Sequence, residues 1–316
     1  MLLIGARGFA GSHLGQAARD AGLEVATASL EGAGPDLACD LLDPGSVRSA
    51  VAAVRPDAIV NMAGQASVRE SWRSPQATFE LNAVGVLNLL AAVVEEAPEA
   101  QILLASSAEV YGGTDPAQMP LSEEAPMRPL SPYGSSKAAM EILAEQYARS
   151  FRLGVAIARS FNQIGPGQSE EFAASSFARQ IAVAEADGAG RVELRVGNLA
   201  AERDFVDIRD TADAYVAILG RGLTGTYNVC SGRARSIGEL IESLSSCTGL
   251  EVTTTVDEAL VRPADPPIIL GSPDRLRGAA GWRPQRPIEE TAADILEWWR
   301  RRLSSPAEPV TAGGAG

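Results

Sequence analysis

Short apolar runs alternate with amphipathic segments along the first half of the chain. Buried strands are predicted at the apolar runs, which occupy residues 2–5, 23–28, 58–62, 102–106 and 155–160. Helices are predicted at the amphipathic segments, which occupy residues 12–21, 46–54, 79–95 and 132–151. This alternation predicts an α/β fold whose doubly wound parallel sheet carries helices on both faces and binds ligands at the carboxyl ends of its strands.

The pattern becomes less regular after residue 165. Further helices are predicted at residues 173–185, 210–219, 236–248 and 288–302, and short strands at residues 192–196, 227–229 and 251–256. These elements predict a smaller α/β lobe above the ligand edge of the sheet. The predicted organisation is a sheet domain at residues 1–165, to which part of 204–230 returns, a substrate lobe at 166–203 and 231–303, and a flexible tail at 304–316.

Composition narrows the location of the protein. No uninterrupted apolar run reaches the roughly 20 residues that cross a bilayer, and the first residues pass directly into a glycine turn, unlike a signal peptide. The cysteines Cys39, Cys230 and Cys247 are few and widely spaced, which favours neither a disulfide framework nor a zinc site. We therefore expect a cytoplasmic protein that has no membrane partner.

Charge and two rare residue types restrict the chemistry. The formal net charge of −13 argues against nucleic acid as a partner, so any phosphate contact has to be local. His13 is the only histidine, which excludes Ser-His-Asp hydrolysis and a multi-histidine centre, and no metal is predicted. Lys137 is the only lysine among 27 basic residues, which indicates a position that needs a compact ammonium group on a flexible stem.

Three glycines, Gly5, Gly8 and Gly11, form a Gly-x-x-Gly-x-x-Gly pattern between the first strand and the first helix. Glycine in such places lets the backbone turn tightly and approach a pyrophosphate. The pattern predicts a Rossmann dinucleotide site, with an ordinary tight turn as the alternative. Arg7 lies inside the turn and could meet a 2′-phosphate, whereas the second strand is followed only by Glu31, so the choice between NADP and NAD stays open.

The strongest chemical pattern is Tyr133-x-x-x-Lys137 at the start of a predicted helix. This spacing puts both side chains on one helix face, where the ammonium should favour the phenolate and make the tyrosine a usable acid or base. Ser107, at the end of the fourth predicted strand, supplies a hydroxyl. The alternative is a surface helix beside a polar loop.

Together the glycine turn, the Tyr-x-x-x-Lys pair and the Ala105–Gly112 strand end resemble the extended short-chain dehydrogenase/reductase group, specifically the NAD-dependent epimerase/dehydratase family. The resemblance implies a catalytic set of Ser107, Tyr133, Lys137 and Glu109. It implies a cofactor site formed by Gly5, Arg7, Gly8, Phe9, Ala10, Gly11, Asp40, Leu41, Ala63, Gly64, Asn82, Ser106, Tyr133 and Lys137. Asp40 could equally be a turn residue, and Asn82, which the family uses to support the active-site helix, could be an ordinary helix residue.

The second half is similar to the GDP-mannose branch of that family, through the segments 159–168, 196–205, 262–265 and 281–282. The resemblance implies a GDP-sugar substrate held by Ser107, Glu109, Asn162, Arg179, Asn198, Arg203, Arg262 and Asp265. Two departures stand out, because Gln163 replaces the usual His and Asp265 the usual Glu. Guanidinium groups suit phosphate, although each arginine alone could be a surface residue.

The expected reaction is reduction of the 4-keto group of a GDP-4-keto-6-deoxyhexose, with hydride from NADPH or NADH. Phe9 and Ala10 in the glycine turn favour the reductases of the branch over its dehydratases, while Glu109 keeps 4,6-dehydration or 4-epimerisation open. A redox sensor without catalysis is a further alternative, which the intact Tyr133 and Lys137 pair disfavours. The helices at residues 79–95 and 132–151 resemble the family's dimer interface and predict a homodimer.

Overall fold

A parallel sheet organises the amino-terminal part of the protein. The computed structural model describes residues 1–260 and 266–304. Within these residues seven strands pair in parallel in the order β10-β6-β5-β4-β1-β2-β3. They are β1 (Leu2–Ile4), β2 (Ala26–Ser29), β3 (Leu37–Ala38), β4 (Ala58–Asn61), β5 (Gln101–Ser107), β6 (Gly154–Ser160) and β10 (Gly225–Val229). The order of the first six is that of a Rossmann sheet, so the predicted fold class is confirmed.

Helices cover both faces of this sheet. They are α1 (Phe9–Asp20), α2 (Pro44–Val54), α3 (Val68–Arg73), α4 (Pro75–Phe79), α5 (Gly85–Glu96), α6 (Pro132–Phe151) and α8 (Ile208–Gly220). Alternate residues of β5 feed two apolar layers, since Ile102 and Leu104 pack with Met140 of α6 while Leu103 packs with Tyr215 of α8. A strand buried on both faces explains why β5 reads as a continuous apolar run.

The second half builds a smaller lobe around its own apolar core. Its helices are α7 (Ala173–Ala186), α9 (Ile237–Ser245), α10 (Asp274–Ala280) and α11 (Ile288–Ser304). In the same described ranges, β9 (Glu202–Asp207) lies between β11 (Ala234–Ser236) and β13 (Ile268–Ile269) and also pairs with β7 (Asn162–Ile164), while β12 (Glu251–Val256) pairs with β8 (Arg191–Val196). The first strand of the lobe, β7, begins directly after the carboxyl end of the sheet strand β6.

The strand pairing refines the predicted domain limits. Residues 162–164, expected in the sheet domain, and residues 204–207, expected to return to it, both belong to the small β7-β9 sheet. The returning segment consists of α8 and β10. Of the predicted tail, Ser304 ends α11 and the other residues lie outside the described part of the chain.

Several element limits differ from the sequence expectations. Helix α1 begins at Phe9 rather than at residue 12, because Gly11, the third glycine of the turn, is already helical. Strand β2 begins at Ala26 rather than at residue 23. The helix expected at 236–248 is shorter, because Ser236 caps α9 and the chain leaves the helix after Ser245.

The helix expected at residues 79–95 is longer and irregular. It runs continuously over Pro75–Glu96, and a π-helical turn at Glu80–Val84 separates α4 from α5. By length and mean hydropathy of 1.7 this 22-residue helix could cross a membrane, but half of the apolar window is buried inside the protein. A buried core helix of this length and hydropathy meets the same criteria without crossing a membrane. The π-helical turn places Asn82 in the interior, where π-helical turns often mark functional sites.

Candidate active site

The glycine turn forms a tight cradle at the carboxyl end of β1. Gly5 adopts a positive φ of 81°, and a Cβ atom there would come within 2.6 Å of the Ala63 nitrogen. A Cβ on Gly11 would collide with the Gly5 carbonyl. Gly8 is the N-cap residue of α1 and has no side chain to cap the helix, which leaves first-turn N–H groups for a pyrophosphate. These features fit a dinucleotide.

Arg7 reaches from this turn to the edge of β2. Its Nε donates to Asp36 Oδ2 at 2.6 Å, and its Nη2 donates to the Ala33 carbonyl. Thr27 donates to the other Asp36 oxygen at 2.5 Å. Burial alone would raise the pKa of Asp36, but hydrogen bonds from Thr27 and Arg7 outweigh it and lower the pKa. Sequence reasoning missed Asp36, which lies close to Arg7 only because β3 folds back beside β2.

The other predicted cofactor residues occupy neighbouring strand ends. The Asp40 carboxylate accepts from the Leu42 nitrogen at 2.9 Å, a turn contact, and Leu41 is buried against α5. Ala63 follows β4, and a Cβ on Gly64 would lie 3.7 Å from Lys137 Nζ. The turn therefore approaches the active-site helix closely.

Asn82 joins this turn to the active-site helix. Its Nδ2 donates to the Gln65 carbonyl and to Ser136 Oγ, both at 3.0 Å, and its Oδ1 accepts from the Gln65 nitrogen at 2.9 Å. Ser136 lies between Tyr133 and Lys137 on α6. These contacts fit the support role implied by the family resemblance rather than that of an exposed helix residue.

The catalytic residues predicted from sequence lie together where β5 meets α6. Ser131 caps α6 by accepting from the Gly134 nitrogen at 3.0 Å, so the helix begins next to Tyr133. The Ser107 hydroxyl hydrogen-bonds the Tyr133 phenol. Lys137 Nζ lies 5.9 Å from the centre of the Tyr133 ring and donates to the carbonyl of Ala105, two residues before Ser107, at 2.8 Å.

Burial controls the protonation of both side chains. It raises the pKa of Tyr133, and Glu109 and Tyr215 add to that rise, while the Ser107 hydrogen bond opposes it. Burial also lowers the pKa of Lys137 to about 8. Lys137 donates to a strand carbonyl, and in the protein alone burial dominates the Tyr133 pKa. The expected effect of the Lys137 ammonium on the phenol stays a prediction. A protonated phenol suits an acid.

Glu109 lies beside this group in the 3₁₀ turn Ala108–Val110 that follows β5. Its backbone nitrogen donates to Ser107 Oγ at 3.2 Å. Ser106 points instead toward α6, where its hydroxyl donates to the carboxylate of Glu141. The end of β5 thus presents a hydroxyl and a carboxylate near Tyr133.

A cavity of about 440 Å³ lies on the lobe side. Its charged lining residues come from several elements and are Arg69, Arg179, Arg195, Glu170 and Asp257. The guanidinium of Arg179 pairs with Glu170 at 2.6 Å, and that of Arg195 pairs with Asp257 at 2.6 Å. Arg69 and Arg195 were not among the predicted substrate residues, because only the folded lobe brings them beside Arg179.

The structure disperses the other predicted substrate residues. Asn162 is exposed on β7, and exposed Asn198 accepts from the Ala200 nitrogen at 3.1 Å. Arg203 is buried, and its Nη1 donates to the carbonyls of Glu202 and Pro266 at 2.7 and 3.0 Å. Arg262 and Asp265 lie outside the described residues. Among the predicted substrate residues that the structure describes, Arg179 lines the cavity, whereas Asn162, Asn198 and Arg203 do not.

Comparison with known proteins defines the group to which this site belongs. A family profile described as GDP-mannose 4,6 dehydratase matches residues 2–295. The chain belongs to this family. GDP-6-deoxy-D-mannose reductase of Pseudomonas aeruginosa is 38% identical over 265 residues, 84% of this chain and 86% of the relative. GDP-mannose 4,6 dehydratase 2 of Arabidopsis thaliana is 28% identical over 264 residues, 82% of this chain and 69% of the relative.

Solved structures agree with this assignment. RMD from Pseudomonas aeruginosa, complexed with NADPH, is 37% identical and superposes with a TM-score of 0.84 over 95% of this chain and 99% of that one. UDP-glucose 4-epimerase of Thermus thermophilus, complexed with NAD, is 30% identical with a TM-score of 0.83 over 95% and 98%. The predictions of this epimerase/dehydratase group and of an oxidoreductase enzyme are confirmed.

Proposed function

We propose that this chain reduces the 4-keto group of a GDP-4-keto-6-deoxyhexose to a GDP-6-deoxyhexose of the GDP-D-rhamnose type. The observation that carries the proposal is the contact of Ser107 with Tyr133 at the strand edge beside the glycine turn. The 38% identical relative named GDP-6-deoxy-D-mannose reductase supports this reaction over others in the family.

The residues at the strand edge divide the chemistry between them. The bound nicotinamide would supply hydride to the keto carbon. Ser107 and Tyr133 would hold the keto oxygen, and Tyr133 would donate its proton as the carbonyl becomes an alcohol, with solvent later restoring that proton. Lys137 would hold the ribose hydroxyls next to the ring. The raised pKa of the buried Tyr133 phenol keeps this proton in place until the oxygen becomes basic.

The cofactor is NADP or NAD in its reduced form, and Arg7 favours NADPH. The Asp36 side chain is only 6% exposed and already accepts from Thr27 and Arg7, so it is poorly available to ribose hydroxyls. The Arg7 side chain is half exposed and lies on the rim of the cofactor cradle, where a 2′-phosphate would find a guanidinium. RMD, a structural relative, is solved with NADPH.

The substrate diphosphate would lie toward the cavity that holds Arg179, together with Arg69 and Arg195. Guanidinium groups recognise phosphate oxygens. The carboxylates of Glu170 and Asp257 hold the guanidinium groups of Arg179 and Arg195 in place. Asn162, Asn198, Arg203, Arg262 and Asp265 remain proposed contacts from the family resemblance.

A two-substrate assay tests the reaction. We expect GDP-mannose alone to remain unchanged, whereas GDP-4-keto-6-deoxymannose with NADPH should consume the nicotinamide absorbance in equal molar amount. Product identification by NMR then gives the stereochemistry at C4. No oxidation of NADPH by the keto sugar would contradict the proposal.

The same assay covers 4,6-dehydration as the second candidate. Glu109 acts electrostatically on Tyr133 and could remove a C5 proton, and the family profile is named for the dehydratase. Formation of the keto sugar from GDP-mannose without added reductant would establish that reaction instead.

A cytoplasmic homodimer is the proposed working form. Helices α4, α5 and α6 pack together and expose a set of apolar side chains, namely Phe79, Val84, Ile142 and Phe151. A second copy would cover this face by forming a four-helix interface, as the family resemblance implies.

A further inference from the structure

Two opposite charges lie inside the sheet domain, one helical turn beyond Lys137, and the proposed reduction does not use them. Glu141 of α6 and Arg159 of β6 are both buried. Arg159 Nε lies 3.1 and 3.0 Å from the two Glu141 oxygens, and its Nη2 lies 2.6 Å from Oε2. Because desolvation can cancel the attraction within such a pair, its stability contribution alone does not explain its presence.

The pair is connected to the catalytic group through the end of β5. Ser106 donates to the Glu141 carboxylate, while the adjacent Ser107 bonds Tyr133. Lys137 donates to the main chain of the same strand end. Three consecutive residues of β5 therefore contact the side chains of Tyr133, Lys137 and Glu141, which are spaced by four residues along one face of α6. The contact of Glu141 helps to set how α6 is aligned with β5.

Arg159 is anchored on its opposite side. Its Nη1 donates to Tyr111 Oη at 2.9 Å and to the Glu123 carbonyl at 3.0 Å. Tyr111 in turn donates to Asn228 Oδ1 at 2.6 Å. These contacts hold the guanidinium still, so the Glu141 carboxylate has a fixed place relative to Lys137.

Glu141 also acts on the charge of Lys137. Burial lowers the pKa of Lys137 to about 8, and attraction to Glu141 opposes that fall. The neighbouring Tyr133 on the same helix is acted on by Glu109 after β5 and by Tyr215 on α8, and Arg159 lies behind Glu141. Glu141 is the carboxylate on the helix turn next to Lys137.

We propose that Glu141 and Arg159 form a positioning pair for Tyr133 and Lys137, in which Glu141 holds Lys137 in the ammonium form and docks α6 onto β5, while Arg159 holds the Glu141 carboxylate in place. The role of Lys137 in turnover rests on the proposed function. The titration of Lys137 does not rest on the proposed function, because the Lys137 pKa is a property of the protein alone.

Lys137 can be observed directly because it is the only lysine of the chain. Protein labelled with lysine carrying ¹³C at the ε position gives one side-chain NMR signal, whose shift against pH reports the Lys137 pKa. The measurement needs neither cofactor nor substrate. Circular dichroism and NADPH fluorescence titration report whether each variant is folded.

The two single substitutions should shift the Lys137 pKa in the same direction. Glu141→Gln removes the attraction, so the Lys137 pKa should fall by about one unit. Arg159→Met leaves the Glu141 carboxylate buried without its ion-pair partner, and such a group takes up a proton, so the attraction is again lost and the Lys137 pKa should fall. The double variant should have a Lys137 pKa close to that of Glu141→Gln. The exposed pair Glu145–Arg149 of α6, at 3.3 Å, gives the matched control, and Glu145→Gln/Arg149→Met should leave the pKa unchanged.

Equal values in all folded variants, or a rise in the Lys137 pKa of Glu141→Gln, would overturn the proposal. If a single variant does not fold, the double variant decides: a Lys137 pKa below that of the native protein supports the inference, and an equal or higher one refutes it. In the assay with keto sugar, Glu141→Gln should lose activity at lower pH than the native protein, since Lys137 is deprotonated earlier as pH rises. If the NMR shifts appear but the native protein oxidises no NADPH, the proposed function fails and the positioning pair stands.

Discussion

At the scale of single residues, Tyr133 is the acid on which the proposed reaction depends. Tyr133→Phe should abolish ketone reduction, because the group that donates the proton to the keto oxygen is lost, while NADPH affinity should change little. Steady-state kinetics and NADPH fluorescence titration measure the two effects. Tyr147→Phe, three to four turns along the same helix and packed on Phe151, is the control and should keep full activity. Unchanged turnover in Tyr133→Phe would remove the acid from the mechanism.

Arg7 sets the expected cofactor preference. Arg7→Gln should weaken NADPH binding about tenfold, because a charge-assisted contact to the 2′-phosphate is lost, and should leave NADH binding nearly unaltered. Kd values for both dinucleotides, measured by fluorescence, give the ratio. Arg277→Gln, which breaks an exposed ion pair on α10, should leave both values as they are. A parallel loss for NADPH and NADH would place Arg7 elsewhere than at the 2′-phosphate.

Residue-level prediction from sequence succeeds where the chemistry is local. The spacing of Tyr133 and Lys137 along one helix and the place of Ser107 at a strand end can be read directly from the chain, and the structure brings them together. Glu141 and Arg159 escape this reasoning because their pairing depends on how α6 packs over β6. That burial dominates the Tyr133 pKa cannot be predicted from sequence for the same reason, since burial is a property of the packed site.

At the scale of elements, the turn between β1 and α1 carries the cofactor cradle. Gly5→Ala should abolish or strongly weaken NADPH binding, because the residue has a positive φ and the new methyl group would press on the Ala63 main chain. Gly278→Ala in α10, which faces open space, should raise the free energy of unfolding by up to about 1 kcal/mol. Fluorescence titration measures NADPH binding by Gly5→Ala, and thermal unfolding measures the stability of Gly278→Ala. Normal NADPH affinity in Gly5→Ala would contradict the assignment of this turn to the cofactor.

Element prediction follows the strength of the periodic signal. The buried strands β4, β5 and β6 and the helices α6 and α11 lie close to their predicted positions. Strands β3, β7, β11 and β13 have only two or three residues each, too few for a periodic pattern, so sequence reasoning missed them. The π-helical turn at Glu80–Val84 was also missed, because it adds a shift in phase inside an otherwise helical pattern.

At the scale of the whole molecule, the apolar face of α4 to α6 predicts self-association. Ile142 on α6 is 58% exposed, and a buried partner surface would explain such a large apolar side chain there. Ile142→Glu should convert the proposed dimer to a monomer, because an unpaired carboxylate in an apolar interface costs several kcal/mol. Val256→Glu, 59% exposed on β12 in the lobe, is the matched control and should remain dimeric. Light scattering after size exclusion measures the mass. A native protein that is already monomeric would contradict the interface.

Ile142 follows Glu141 on the helix that carries Tyr133, so assembly and turnover can be compared in the same variant. A monomeric variant with reduced turnover would mean that the partner subunit stabilises α6. A monomeric variant with full turnover would separate assembly from catalysis.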